Sequence, residues 1–194
     1  MKSGFIRFNI LIKVAIALIA GSIIIFTGSC RRPFDNNANV LKIDTLQRLA
    51  NDIDNTLILD EDVIKLRDDS MVIKLNLISS QYKDTSDGVT NEAITRYRGI
   101  EKTYQDFLKN YPVMEFDNAS YQKSITNNKQ KVLNKTITQD AFDEYYSTIK
   151  PGLEDLLKRA KIMTYNTSTI EHDFERTDPV VTGLYHKLMS GLRR

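Results

Sequence analysis

At 194 residues the chain has room for one ordinary domain and a targeting segment. Its formal charge of +2 belongs to its start: three of the 27 basic residues lie within residues 1–29, leaving 24 against 25 acidic ones, too little positive field to recruit nucleic acid. With no tryptophan, one cysteine, four prolines and eight glycines, the composition excludes a disulfide scaffold and favours long helices over many short strands with tight turns.

The first 30 residues fall into three zones. Lys2, Arg7 and Lys13 make a basic start, Val14 to Phe26 is an uncharged apolar run, and Thr27-Gly28-Ser29 brings small residues up to Cys30. A basic region, an apolar stretch of about 7–15 residues and a small-residue exit form the pattern of a secretory leader. The run falls short of the ~20 residues that cross a bilayer as a helix.

In these residues the chain resembles the bacterial lipoprotein class. Gly28, Ser29 and Cys30 match its lipobox, while Thr27 stands where leucine is usual. The resemblance implies cleavage between Ser29 and Cys30, diacylglycerol and often further acylation on Cys30, and a membrane-held domain in the cell envelope. It also accounts for a lone cysteine in an exported chain. Two or three acyl chains, at about 0.8 kcal/mol per buried CH₂, give a stable anchor. The alternative is an uncleaved signal anchor, in which Ile10-Leu11-Ile12 lengthens the apolar stretch and Lys13 snorkels. In Bacteroidota-like lipoproteins an acidic stretch after the cysteine marks surface export. Here Arg31-Arg32-Pro33-Phe34 follows instead, which implies a domain facing the periplasm.

Three divisions result: a signal peptide over 1–29, a flexible polar tether over 30–39, and a helical domain over 40–194. The 165 residues that follow Ser29 can bury roughly two-thirds of their unfolded surface. Leu46, Leu49, Ile53 and Leu57 line one face of a first helix. Asp60 is placed to cap a second over about 61–83, with Leu59 and Ile64 as a hydrophobic staple. That helix carries two apolar stripes, one through Ile64, Met71, Leu75, Ile78 and Tyr82, the other through Val63, Leu66, Ile73 and Leu77. Two stripes predict packing on two sides, at the centre of a bundle.

After a turn at 84–88, Val89, Ala93, Tyr97, Ile100, Tyr104, Phe107 and Tyr111 give the cleanest helical spacing, which Pro112 is expected to end. Gly99 within it suggests close packing. A loop at 112–119 then leads to a helix bearing Tyr121, Ile125, Val132 and Leu133. Thr138 caps another, containing Phe142, Tyr145, Tyr146 and Ile149, interrupted at Pro151-Gly152 before Leu153, Leu156, Leu157 and Ala160 resume its pattern. Residues 164–177 read as a polar loop. Asp178 and Pro179 then start a last helix whose Val181, Leu184 and Leu188 would form a docking face if exposed. The expected fold is therefore all-α: an irregular antiparallel bundle of about five to six helices, without strands or an internal repeat.

Few residues suggest chemistry. Glu171-His172-Asp173 with Glu175 offers potential metal ligands, but adjacent helical residues point about 100° apart and do not converge. No HExxH, CxxC, GxSxG, SxxK, Walker A or GxGxxG sequence occurs. Counting EF-hand positions from Asp52 or Asp84 puts Leu57 or Val89 where glycine belongs. His186, beside Tyr185, reads as a packing or surface residue. Asp44-Thr45-Leu46 and Asp69-Ser70-Met71 are similar to the short O-glycan acceptor motif of Bacteroidota. Tyr97, Tyr104, Phe107 and Tyr111 either line a ligand groove or fill the core.

No catalytic, cofactor or metal residue is assigned. The reading is a non-enzymatic envelope module, held to the membrane by lipid on Cys30 and binding another envelope protein. Its rivals are a small-ligand bundle with an internal apolar pocket, and an envelope enzyme using unrecognised carboxylates.

Overall fold

The computed structural model of the chain describes residues 33–84 and 86–192. Among them are four helices: α1 (Asn36–Asp54), α2 (Glu61–Gln81), α3 (Gly88–Leu133) and α4 (Gln139–Gly191). α3 and α4 are unequal partners to the other two. With 46 and 53 residues, they extend about 69 and 80 Å at 1.5 Å per residue. They form an antiparallel hairpin, and α1 and α2 lie end to end along it, so the rod is three helices thick on either side of the gap between those two.

The pairing fixes the direction. Asp35 N–H donates to Gln139 Oε1 (3.1 Å) and Lys42 reaches Asp143 (2.7 Å), placing the start of α1 beside the start of α4. Farther along, Arg67 of α2 meets Glu171 and Lys74 meets Asp178. α1 and α2 thus run parallel to α4 and antiparallel to α3.

Four side-chain caps start the helices. Asp35, Asp60, Asp87 and Thr138 each accept a hydrogen bond from the backbone N–H three residues on. Two of these, Asp60 and Thr138, are the caps expected from sequence. At its other end α3 closes in a Schellman turn: Thr136 N–H bonds to Lys131 C=O and Lys135 N–H to Val132 C=O, with Lys135 at φ 53°.

The count of five to six helices is corrected to four. Pro112, Pro151 and Pro179 all lie inside helices, not at their ends. Each is exposed, so the turn that loses its hydrogen bond faces water, and the cost is not compounded by an orphaned carbonyl in the core. The loops expected at 112–119 and 164–177 are helical, and Asp178 is an interior residue of α4, not a cap. Asn36 lies inside the span read as a tether, and Phe34 already packs on the core.

An unbroken heptad holds the long helices together. Core positions on α3 run Ala93, Tyr97, Ile100, Tyr104, Phe107, Tyr111, Met114, Asn118, Tyr121, Ile125, alternating steps of four and three straight across Pro112. On α4 the same alternation runs Leu153, Leu156, Ala160, Met163, Thr167, Ile170, Phe174, Thr177, Val181, Leu184, Leu188. A repeat of 3.5 residues sustained over this length imposes a left-handed supercoil.

α2 departs from expectation in a second way. Ile64, Met71, Leu75 and Ile78 are buried against α3 and α4, but most of the other stripe is uncovered: Val63 is 40 %, Leu66 70 % and Ile73 60 % exposed, while Leu77 is half-buried. The helix sits on the flank of the hairpin, not at the centre of a bundle, and packs on one side only.

Candidate functional site

The half of the rod that carries α2 is layered. α2 contributes a cation, α3 a tyrosine and α4 a carboxylate, twice, one heptad apart. In the first layer Arg67 Nη1 donates to Glu171 Oε1 (2.6 Å) and to Tyr104 OH (3.4 Å). In the second, Lys74 Nζ donates to Asp178 Oδ1 (2.6 Å), which also accepts from Tyr97 OH (2.5 Å). Phe174 sits between the layers, its ring 6.1 Å from those of both tyrosines and 4.9 Å beneath the Arg67 guanidinium. One heptad farther down α3, the Tyr111 hydroxyl donates to Leu57 C=O (3.0 Å). One more heptad on, Asn118 Nδ2 donates to Ala50 C=O and Asp54.

This ladder explains how the chain tolerates the gap between α1 and α2. Breaking a helix frees carbonyls that need donors. Tyr111 supplies one to Leu57, and Thr164 Oγ1 supplies another to Thr56 (3.0 Å). The long helices thereby hold the break in place.

The electrostatics of the layers resist proton transfer. Burial and the neighbouring carboxylate push the Tyr97 hydroxyl far above its ordinary pKa. Burial also raises Tyr104, against the opposing pull of Arg67, and carries Tyr111 up to about 12. Burial alone would raise the Asp178 carboxyl. The bonds from Lys74 and Tyr97 outweigh it and hold that group below the usual carboxylate range. Tyrosines shifted upward and a carboxylate shifted downward leave these groups in fixed protonation states near neutrality, a poor basis for acid–base work.

Tyr97, Tyr104, Phe107 and Tyr111 are 0–6 % exposed, packed and, for the three tyrosines, hydrogen-bonded across the bundle. Of the four, Phe107 reaches an open space. That is a groove of about 490 Å³ between α3 and α4, with Phe107, Met114, Ile162 and Met163 as apolar walls and Asp106, Asn110, Arg159 and Asn166 at its polar rim. Smaller clefts of about 330 and 340 Å³ flank the α1–α2 break, on the α3 and α4 sides.

The remaining candidates are dispersed. Glu171 is engaged with Arg67, Asp173 pairs with Arg176 (2.8 Å), and His172 is exposed. No group of three His, Cys, Asp or Glu side chains able to hold a metal is present among the described residues. His186 stands edge-on to Tyr185, ring centres 5.5 Å apart. Val181 is buried, and Leu184 and Leu188 pack against the core, so they form no docking face. Ser29 and Cys30 lie outside the described residues, and no described helix is long and apolar enough to cross a membrane.

Sequence reasoning missed the paired layers because their members come from three helices, cation and carboxylate 104 residues apart in each layer. A signal was nonetheless available: Arg67 and Lys74, Tyr97 and Tyr104, and Glu171 and Asp178 all repeat at seven residues. No family model, curated protein or solved structure matches the chain.

Proposed function

We propose that this all-helical domain is a lipid-anchored, non-enzymatic rod of the cell envelope, attached through Cys30 and presenting an interaction surface at a distance from the membrane. The observation that carries the reading is where the bundle begins. Phe34 packs on the core four residues after Cys30, and α1 starts at Asn36 beside the α3–α4 turn. A lipid on Cys30 would hold that end of the rod within ~15 Å of the bilayer, at no more than ~3.6 Å per residue. Arg31 and Arg32 would then lie at the headgroups, where basic side chains are favoured. The α2–α3 connection and the end of α4 would stand about 80 Å away, one α4 length. That geometry suits a spacer that meets another envelope protein, and the missing acidic stretch after Cys30 favours the periplasmic side.

The test is N-terminal mass spectrometry of the protein from membranes of expressing cells, with metabolic incorporation of an alkyne fatty acid. The expected species begins at Cys30, carries two or three acyl chains and loses the label on Cys30→Ala. A membrane-bound species beginning at Met1 with a free Cys30 thiol would replace the lipid by a signal anchor and refute the proposal.

The α3–α4 groove favours a second reading, small-ligand binding. It would be supported by an apolar dye whose fluorescence on binding is abolished by Met163→Glu, a substitution at the groove wall.

A further inference from the structure

The uncovered face of α2 has the pattern of a coiled-coil seam. Val63, Leu66, Ser70, Ile73 and Leu77 recur at alternating steps of three and four, on the side of the helix away from the residues buried in the bundle; Val63, Leu66 and Ile73 are exposed, Ser70 and Leu77 half-buried. With Val63, Ser70 and Leu77 as the first position of each heptad and Leu66 and Ile73 as the fourth, only Val63–Leu66 has the β-branched-then-Leu order of a two-stranded parallel coil, so the choice of partner rests on the flanking charges.

The charges beside the seam point to the occupant. Asp62 and Asp69, both exposed, precede the first positions of their heptads. Arg67 and Lys74 follow the fourth positions. In a parallel, in-register pair of identical helices, a residue of the first kind meets the one five positions on in its partner. Asp62 would therefore face the partner's Arg67, and Asp69 the partner's Lys74. Both contacts join opposite charges, and both are made twice by symmetry. Asn76 likewise would face the partner's Gln81, two amides able to bond. Both cations keep part of their surface, 27 % of the Arg67 side chain and 14 % of Lys74, and donors to spare: among the described residues Arg67 bonds through Nη1, and Lys74 Nζ makes two bonds of a possible three.

We propose that this face is a homodimer interface, in which two copies of the chain associate side by side through α2 with their axes parallel. Parallel alignment puts both amino termini at the same end, as two copies held on one surface require. Little more than two heptads make a short seam, too weak for a tight dimer in dilute solution, and tethering raises the effective concentration at which the copies meet. That last contribution rests on the lipid-anchor reading; the seam and its charge pattern do not.

Single cysteines test the arrangement in the full chain, expressed and oxidised in membranes, with bands scored above those of the parent chain, which reports any dimer made through a free Cys30. Val63→Cys and Leu77→Cys, at opposite ends of the seam, are each expected to yield covalent homodimer severalfold above Lys65→Cys, an exposed position off the seam. Adding Asp69→Lys to Val63→Cys should remove that excess, because two cations then face each other, while a thermal melt confirms that the fold persists. Equal yields at Lys65, a crosslink only between the 63 and 77 variants when mixed, or an adduct of another mass in place of the homodimer would each overturn the proposal. Pelleting the same samples with membranes reports separately on the anchor.

Discussion

Replacing Asp178 by alanine strands two donors at once. Its Oδ1 accepts from Lys74 Nζ and Tyr97 OH, and the Lys74 and Asp178 side chains are only 14 % and 27 % exposed. A hydrogen bond to a charged group contributes about 1.5–3 kcal/mol, and removing one partner leaves the desolvation of the other uncompensated. Water can reach part of this site, so the expected loss is about 2–3 kcal/mol, not the full cost of a sealed pair. Against a typical total of roughly 5–15 kcal/mol that is a large fraction. Urea unfolding of the chain, followed by far-UV circular dichroism, measures it. Glu171→Ala serves as an internal scale: its side chain is 43 % exposed, and the expected cost is about 1 kcal/mol. Asp173→Ala, at a surface pair, should cost less than about 0.5 kcal/mol. The pH dependence has a definite sign. Because the folded state holds the Asp178 carboxyl below its ordinary pKa, its contribution is complete above the unfolded value and is lost as pH falls through the folded one. The parent and Asp178→Ala stability curves should therefore converge in acid. The reasoning fails if Asp178→Ala costs no more than Asp173→Ala, or if the gap between the curves is unchanged by acid.

Two further substitutions address local structure. Gly99 lies exposed inside α3 with open space where a Cβ would stand, so Gly99→Ala should raise stability by about 1 kcal/mol in the same unfolding assay. Gly152→Ala should gain less, because its Cβ would overlap the Tyr121 hydroxyl. Burial, with Glu101 and Asp69 nearby, holds the Asp68 carboxyl above its ordinary pKa, a penalty on the folded state present at neutral pH and relieved as pH falls through the folded value. Asp68→Asn should accordingly raise the melting temperature at neutral pH, with the difference shrinking toward acid.

Helix type and several caps were legible from sequence because apolar spacing and capping chemistry are local. Helix length was not. Pro112 and Asp178-Pro179 carry the local signals of a stop and a start, but heptad contacts on both sides of each outweigh the lost hydrogen bond. The stretch 164–177 looked like a loop because two of its core positions are Thr167 and Thr177, 3 % exposed yet polar. Gly99, read as a close-packing residue, has nothing within 4 Å of its added Cβ; the glycine under a neighbour is Gly152. The tyrosine spacing was legible too, but not the partners of those tyrosines. Hydroxyl bonds to Asp178 and to Leu57 depend on how the helices are brought together, which residue spacing on one helix does not reveal.

The gap between α1 and α2 leaves two clasps on one shaft. α1 grips the half of the hairpin nearest the amino terminus, α2 grips the other, and the clasps do not touch each other. Opening one need not loosen the other, since each is held through the long helices alone. Hydrogen exchange should therefore divide the amides into two families with separate opening energies. A load or partner that prises α2 away would bare the buried faces of Tyr97 and Tyr104 while the half under α1 stayed closed, giving a molecule able to yield at one end while the other keeps its shape.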